Sequence, residues 1–410
     1  MKTSNNKTTT GIYIHWPFCA AKCPYCDFNS HVAEAIDHDD WLAGYVSALD
    51  YYAELTPNRS INSMFFGGGT PSLMRPDVVA AIIDKVQQSW SITNDVEITL
   101  EANPTSSERA KFQAFRDAGV NRVSLGVQSL NDADLKFLGR EHSGDEAMKA
   151  IDLARSIFDR FSFDLIYARP DQTLATWGDE LRRAVELSGG HMSLYQLTIE
   201  RSTPFYTMHK QGLFDIPRDD LAAEFYHLTQ DIMEDAGLPA YEVSNHAADE
   251  AQQSVHNLNY WRYRDYIGIG PGAHGRLTLK SAHGRLTLKS AHGRLTLKSA
   301  HGRVPSNGVK YASRDHAAPP VWLETVQKTQ HGAHPFEALS VEDGIAETLI
   351  MGLRLADGLI LDDAIMAQIN RSNLTRICDE GWGAHNGNHL HLTREGLLRL
   401  NAIVPFILKD

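Results

Sequence analysis

Cys19, Cys23 and Cys26 lie within eight residues of one another as CxxxCxxC, inside the run YIHWPFCAAKCPYCDF. Three thiolates from one short loop can hold three irons of a cubane cluster and leave the fourth iron open to an outside ligand. A structural zinc ion would ask for four protein ligands, usually a second CxxC pair elsewhere, and neither that spacing nor that pair is present. The chain has four cysteines in 410 residues, too few for a disulfide scaffold, so the grouping points to a [4Fe-4S] site in a reducing compartment. Cys378 stands apart and reads as a small buried apolar group.

Further along, FFGGGTPS (Phe65 to Ser72) ends an apolar run in three glycines, which let backbone amides approach a ligand closely. Taken alone the run is equally a tight turn. Glu101 in LEANP can accept from an ammonium or a ribose hydroxyl, or cap a helix at the surface. Gln128, Arg140 and Asp164 are polar groups at or near the ends of later apolar runs.

These residues need a frame. Six β-rich runs occupy the first half: GIYIH from Gly11, INSMFF from Ile61, VEITLE from Val96, NRVSLGV from Asn121, FSFDLIY from Phe161 and HMSLYQL from His191. Helical spacing separates them, as in Trp41, Tyr45, Ala48, Leu49 and Tyr52. Such alternation predicts a parallel sheet with crossover helices, either doubly wound or a barrel, with functional groups at the carboxyl ends of the strands. The cysteine run, GGGTPS, EANP, GVQS and ARPDQT follow the first five runs in turn, so one rim can gather them into one site.

Beyond residue 200 the rhythm loosens. A stretch rich in Tyr, Asn, His and Gly spans Tyr241 to Gly275, and AHGRLTLKS then repeats from Ala273, Ala282 and Ala291, with AHGR again at Ala300. Identical nine-residue copies are unlike solenoid repeats, and a surface excursion over 273–303 is expected. His274, His283, His292 and His301 are not a natural metal cluster, because a nine-residue step turns successive side chains to opposite faces. From about Ser340, IAETLIMGLRL, NLTRICDEG and HLHLTREGLLRLN suggest a small, mainly helical, winged-helix-like domain.

The formal net charge of -12 is spread along the chain, which argues against nucleic acid as a partner. No apolar run approaches the roughly 18 residues of a membrane helix, and MKTSNNKTTT is too polar for a signal peptide. A cytoplasmic protein is expected.

The cysteine run with GGGTPS, EANP, RVSLGVQS, LGRxH (Leu138 to His142) and DLIYxxPxQT (Asp164 to Thr173) resembles the oxygen-independent coproporphyrinogen III oxidase-like radical SAM proteins. The likeness runs from about Gly11 to Ile407. It implies an α/β fold with a partial (β/α)6 barrel: a disordered N-terminus over 1–10, the barrel over 11–240, a connecting region over 241–335 and the family's C-terminal domain over 336–410. It also implies S-adenosylmethionine beside Tyr13, Gly69, Thr70, Pro71, Glu101, Gln128, Arg140 and Asp164.

The family has a heme-chaperone branch and a coproporphyrinogen dehydrogenase branch. The dehydrogenases typically continue as CxxxCxxCxC, whereas Phe28 stands at that last position here. The chaperones carry HNxxYW, here His256, Asn257, Leu258, Asn259, Tyr260 and Trp261. The resemblance therefore implies heme binding, with His256 a candidate axial ligand and Tyr260 and Trp261 covering the macrocycle, though an isolated histidine is more often a hydrogen-bonded core residue. Expected partners are heme, a heme-acceptor protein that can be membrane-bound, and an electron donor for radical chemistry. The rival function is decarboxylation of coproporphyrinogen III.

Overall fold

Alternation along the first strand builds the frame. In β1 (Thr8–Trp16), Ile12, Ile14 and Trp16 point to one side and are fully buried, while Tyr13 and His15 point to the other. Trp16 meets Trp41 of α1 (His38–Leu55) at 5.9 Å between ring centroids, so the Ile/Trp face is the outer, helix-covered one. The inner face is left to polar and aromatic side chains. The computed structural model describes residues 8–33, 35–279, 287–290, 293–296 and 308–409.

Five further strands repeat the arrangement: β2 (Arg59–Gly68), β3 (Ser91–Ala102), β4 (Arg122–Gln128), β5 (Arg160–Tyr167) and β6 (His191–Gln196). Each pairs in parallel with its predecessor, with crossovers through α1, α2 (Pro76–Ser89), α3 (Phe112–Asp117), α4 (Gly144–Ile157) and α5 (Leu174–Leu187). A doubly wound sheet reverses its strand order at a switch point; this one does not, so the strands curl as an open barrel.

The sheet extends past the six expected strands. β7 (Asn245–Ala247) runs antiparallel along β6, and β8 (Tyr266–Ile269) pairs in parallel with the free side of β1. β9 (His274–Leu279), β10 (Val309–Arg314) and β11 (Glu337–Ala338) complete an 11-stranded sheet. The segment 241–335 thus supplies strands to the main sheet rather than only connecting two bodies. Thr8–Thr10, expected within a disordered tail, begin β1; residues 1–7 lie outside the described residues.

The repeat divides in two. Its first copy is not a surface excursion: Leu277 and Leu279 of β9 are buried and Tyr311 lies opposite Leu277, because L-T-L alternation suits a strand with one face inward. Later, Thr287–Ser290 pairs antiparallel with Gly293–Thr296 as a hairpin. His274 is exposed, and His283, His292 and His301 fall outside the described residues.

The C-terminal part has its own apolar core, including Leu349, Ile369, Ile377, Leu390 and Ile407. Helices there surround a three-stranded wing of β12 (Leu359–Ile360), β13 (Gly383–Asn386) and β14 (His389–Leu392). It is tied to the barrel by Arg276–Glu347 at 2.7 Å and Arg354–Glu242 at 3.2 Å. Among the described residues, no helix is long and apolar enough to cross a membrane.

Candidate functional site

The cysteine loop leaves the carboxyl end of β1. Phe18–Cys19 pairs with His31–Val32, closing the loop at its base, and Cys26 N donates to Cys23 O at 3.2 Å. All three thiols are free and half-buried. Thr70 Oγ1 donates to Cys19 Sγ at 3.4 Å and Arg140 Nη1 to Cys23 Sγ at 3.3 Å. Burial pushes the Cys19 and Cys26 thiols up, and the Thr70 hydroxyl pulls Cys19 back. A donor set of three thiols from one loop, with a guanidinium and a hydroxyl turned to sulfur, fits three irons of a cubane.

The glycine loop is pressed onto this one. Gly69 N donates to Trp16 O at 2.7 Å and Thr70 N to Phe18 O at 2.8 Å. Gly68 has φ +111, where a Cβ would lie 2.5 Å from the His15 ring, and a Cβ on Gly69 would lie 2.6 Å from Phe18 O. Only glycine permits that approach. Pro71 opens the short helical turn that follows, Pro71–Leu73.

Arg140 is held by Asn103 Oδ1 at 2.5 Å and Gly126 O at 2.7 Å, and Asn103 Nδ2 also donates to Thr70 Oγ1 at 3.2 Å. Asn103 therefore joins the three loops around the cysteines. In EANP the glutamate is the evident chemical group, whereas this asparagine gains its role only from the contacts with Arg140 and Thr70. Gln128 turns at φ 71 at the end of β4, and its Nε2 faces Gly126 beside Arg140. A small cavity joins Cys23, Asn103 and Arg140 with His142.

Tyr13, Glu101 and Asp164 line a second cavity of about 180 Å³ inside the barrel. Glu101 Oε2 accepts from Gly68 N at 3.2 Å. Burial pushes Glu101 up to about 8, with the nearby Asp164 adding to the rise, and burial pushes Asp164 up to about 7. Tyr13 OH bonds His15 Nδ1 at 3.0 Å, and its phenol is pushed well up by burial. The cavity thus holds two carboxyls protonated more readily than usual.

A pH dependence follows. Between the ordinary 4.5 of a glutamate and about 8, folded Glu101 retains a proton that the unfolded chain releases. The folded state then binds more protons, so stability falls as pH rises through that window. Thermal unfolding of cofactor-free protein between about pH 5 and pH 8 is expected to show a falling midpoint that Glu101→Gln flattens. Equal slopes in the two proteins would remove the buried-acid assignment.

HNxxYW sits at the other end of the barrel. Helix α6 (Val255–Trp261) caps its amino-terminal mouth, where Ser63 lies in register with Glu97 and precedes the Gly68 loop by about 16 Å of strand. His256 is 1% exposed; its Nδ1 bonds Ser63 Oγ at 3.1 Å and its Nε2 bonds Tyr260 OH at 2.7 Å. Phe65 stacks on the ring at 4.8 Å, and burial pushes the imidazole down to about 3, so it is neutral. Trp261 lies outside the cavity lining, under the Arg354 guanidinium at 4.4 Å.

In this structure His256 packs as a hydrogen-bonded core residue. Both ring nitrogens of His256 are engaged, and the cavity it lines is smaller than the roughly 300 Å³ at which ligand pockets begin. Tyr260 and Trp261 are committed to His256 and Arg354 rather than turned to an open face. Expected site residues are therefore divided: one set meets at the carboxyl rim and upper cavity, the other closes the floor.

Comparison with known proteins adds to this geometry. Residues 13–184 match the radical SAM superfamily and residues 339–399 the HemN C-terminal domain. The chain is 33% identical over its full length to radical S-adenosyl methionine domain-containing protein 1, mitochondrial, of Danio rerio, covering 89% of that protein. It is 42% identical to heme chaperone HemW of Escherichia coli over 65% of this chain and 70% of that one. The solved structure of coproporphyrinogen III oxidase (HemN) from Escherichia coli superposes with TM-score 0.76 at 18% identity, over 98% of this chain and 90% of that one. That likeness concerns the fold.

Proposed function

Because this chain belongs to the radical SAM family that bears a HemN C-terminal domain and counts heme chaperone HemW among its members, we propose that it is a heme chaperone. In this reading it binds heme and passes it to an acceptor protein. Cys19, Cys23 and Cys26 hold a [4Fe-4S] cluster. Tyr13, Gly69, Thr70, Pro71, Glu101, Gln128, Arg140 and Asp164 surround S-adenosylmethionine. When bound, the cluster supplies a single electron to S-adenosylmethionine.

The chain's own residues have definite tasks here. Arg140 and Thr70 hold negative charge on sulfur. Gly68 and Gly69 bring backbone amides to the loop without a side chain in the way. His256, Tyr260 and their neighbours close the floor of the cavity. In this reading HNxxYW supports the barrel floor.

The observation that carries the chaperone reading is Phe28. It stands where the dehydrogenases have a fourth cysteine, and it is 58% exposed beside the cysteine loop. An apolar ring cannot do the chemistry of a thiol. The test offers anaerobically reconstituted protein hemin and, separately, coproporphyrinogen III. A stable Soret complex with no decarboxylated product is expected; turnover of coproporphyrinogen III without heme binding would hand the function to the rival.

A further inference from the structure

The floor histidine offers no free nitrogen, but an imidazole on the carboxyl rim does. Helix Pro204–Lys210 and the turn after it lie on the carboxyl rim, beyond β6. The segment is anchored beside the cysteine loop. Phe205 is fully buried, its ring lies 4.8 Å from Phe137 and 5.0 Å from Phe214, and its N–H donates to Pro24 O at 2.9 Å. A rigid base thus carries an open upper face.

Tyr206, His209 and Lys210 lie at i, i+3 and i+4 on that helix, which places them together. Tyr206 is 37% exposed, the His209 side chain 35% and Leu213, in the following turn, 64%. Gly212, at φ +70, lets the chain fold back so that Leu213 N reaches Met208 O at 3.1 Å. Large apolar side chains and an imidazole are thereby displayed side by side.

The imidazole is prepared as a ligand. His209 Nδ1 lies 3.0 Å from Phe214 O and donates to it, which leaves the lone pair on Nε2. Histidines that bind metals are held in this way, one ring N–H on a backbone carbonyl and the other nitrogen free. Asp215 Oδ1, 3.9 Å from the same Nδ1 and almost fully exposed, is a second acceptor on that side. Nε2 takes no hydrogen bond from the described residues. By contrast, His227 spends its Nε2 on Glu395 at 3.0 Å.

We propose that heme docks on this shelf, with Tyr206 and Leu213 against the macrocycle, Lys210 beside its propionates and His209 Nε2 on the iron. The proposal rests on the chaperone reading and names the seat that reading needs. An apolar dianionic disc with a metal at its centre asks for apolar surface, a cation and one nitrogen donor, and the shelf has each. Its openness also suits transfer. The iron's far face stays free, so an acceptor's ligand can bind there before His209 lets go, an exchange of ligands with no electron gained or lost.

The test titrates the full-length, cluster-reconstituted chain with hemin and compares wild type, His209→Ala and His256→Gln. Wild type forming a Soret complex tests the chaperone reading; the difference between variants tests the shelf. His209→Ala is expected to shift the Soret band and to weaken binding by roughly tenfold or more. Added imidazole should restore the wild-type band, with cluster absorbance and far-ultraviolet circular dichroism unchanged throughout. His256→Gln should keep the wild-type band. The shelf is overturned if His209→Ala binds hemin with wild-type spectrum and affinity, or if His256→Gln alone loses the histidine-ligated band.

Discussion

Serine at Cys19, Cys23 or Cys26 is expected to abolish the iron–sulfur absorbance of the anaerobically reconstituted protein, whereas Cys378→Ser should leave iron and sulfide content unchanged. The three N-terminal thiols share one loop whose base is a strand pair, and two of them receive a hydrogen bond from another loop. A serine hydroxyl at one position removes a soft ligand from a set with no spare. Cys378 lies on helix Arg371–Asp379 and packs against the separate C-terminal core. No other cysteine accompanies it there. Iron and sulfide assays with the visible spectrum decide the matter. A cluster lost with Cys378, or kept without one of the other three, would overturn the assignment.

Breaking the ion network under the barrel should cost the most stability of any single change away from the apolar cores. Glu97 is fully buried and accepts from Arg122 Nη1 at 3.1 Å and Arg160 Nη2 at 2.7 Å. It also accepts from His256 N at 3.1 Å and Ser254 Oγ at 3.4 Å, so the carboxylate holds the amino end of α6. Burial pushes Glu97 up, but Arg122 and Arg160 outweigh it and hold the carboxyl below its ordinary range. Arg122→Met strands part of that charge without water. Because Arg160 still pairs with Glu97, the expected loss lies toward the lower end of the roughly 3–5 kcal/mol that follows removing one partner from a buried pair.

Hydrogen exchange is the suitable measure, because a chain with more than one apolar core need not unfold in one step. Protection over residues 255–261 should fall first. Glu97→Gln with Arg122→Met should cost less than the two single changes added together, since both act on the same contact. Protection unchanged in Arg122→Met would mean that α6 is held by its packing on Phe65 and Ser63 alone.

The comparison of two ends of the barrel shows why one half of the site was readable and the other was not. A cluster loop is local chemistry: three cysteines at fixed spacing after an apolar run, with GGGTPS, EANP and GVQS at successive strand ends. Period-two alternation in β1 to β6 marks the strands, and the parallel-sheet rule sends those loops to one rim. Nothing more distant is needed. Asn103 was within reach of the same reasoning, and its role as the junction between Arg140 and Thr70 emerges only when the loops meet.

HNxxYW carried no such address. Its position depends on which end of the barrel a returning chain covers. That is decided by Ser63, Glu97, Arg122 and Arg160 on separate strands, drawn together by pairing register and the cost of leaving a carboxylate unpaired. Sequence chemistry named His256 as a possible ligand; burial and two hydrogen bonds consumed its nitrogens. The repeat shows the same division, because identical copies have identical propensity and the pairing of the first with Val309–Arg314 brings that copy into the main sheet. His209 drew no notice as one histidine in a short helix, and its free nitrogen exists because the turn at Gly212 carries the Phe214 carbonyl back to Nδ1. Spacing along the chain thus determined the ligand types and the rim, while the folding of distant segments onto one another decided which side chains keep an open valence.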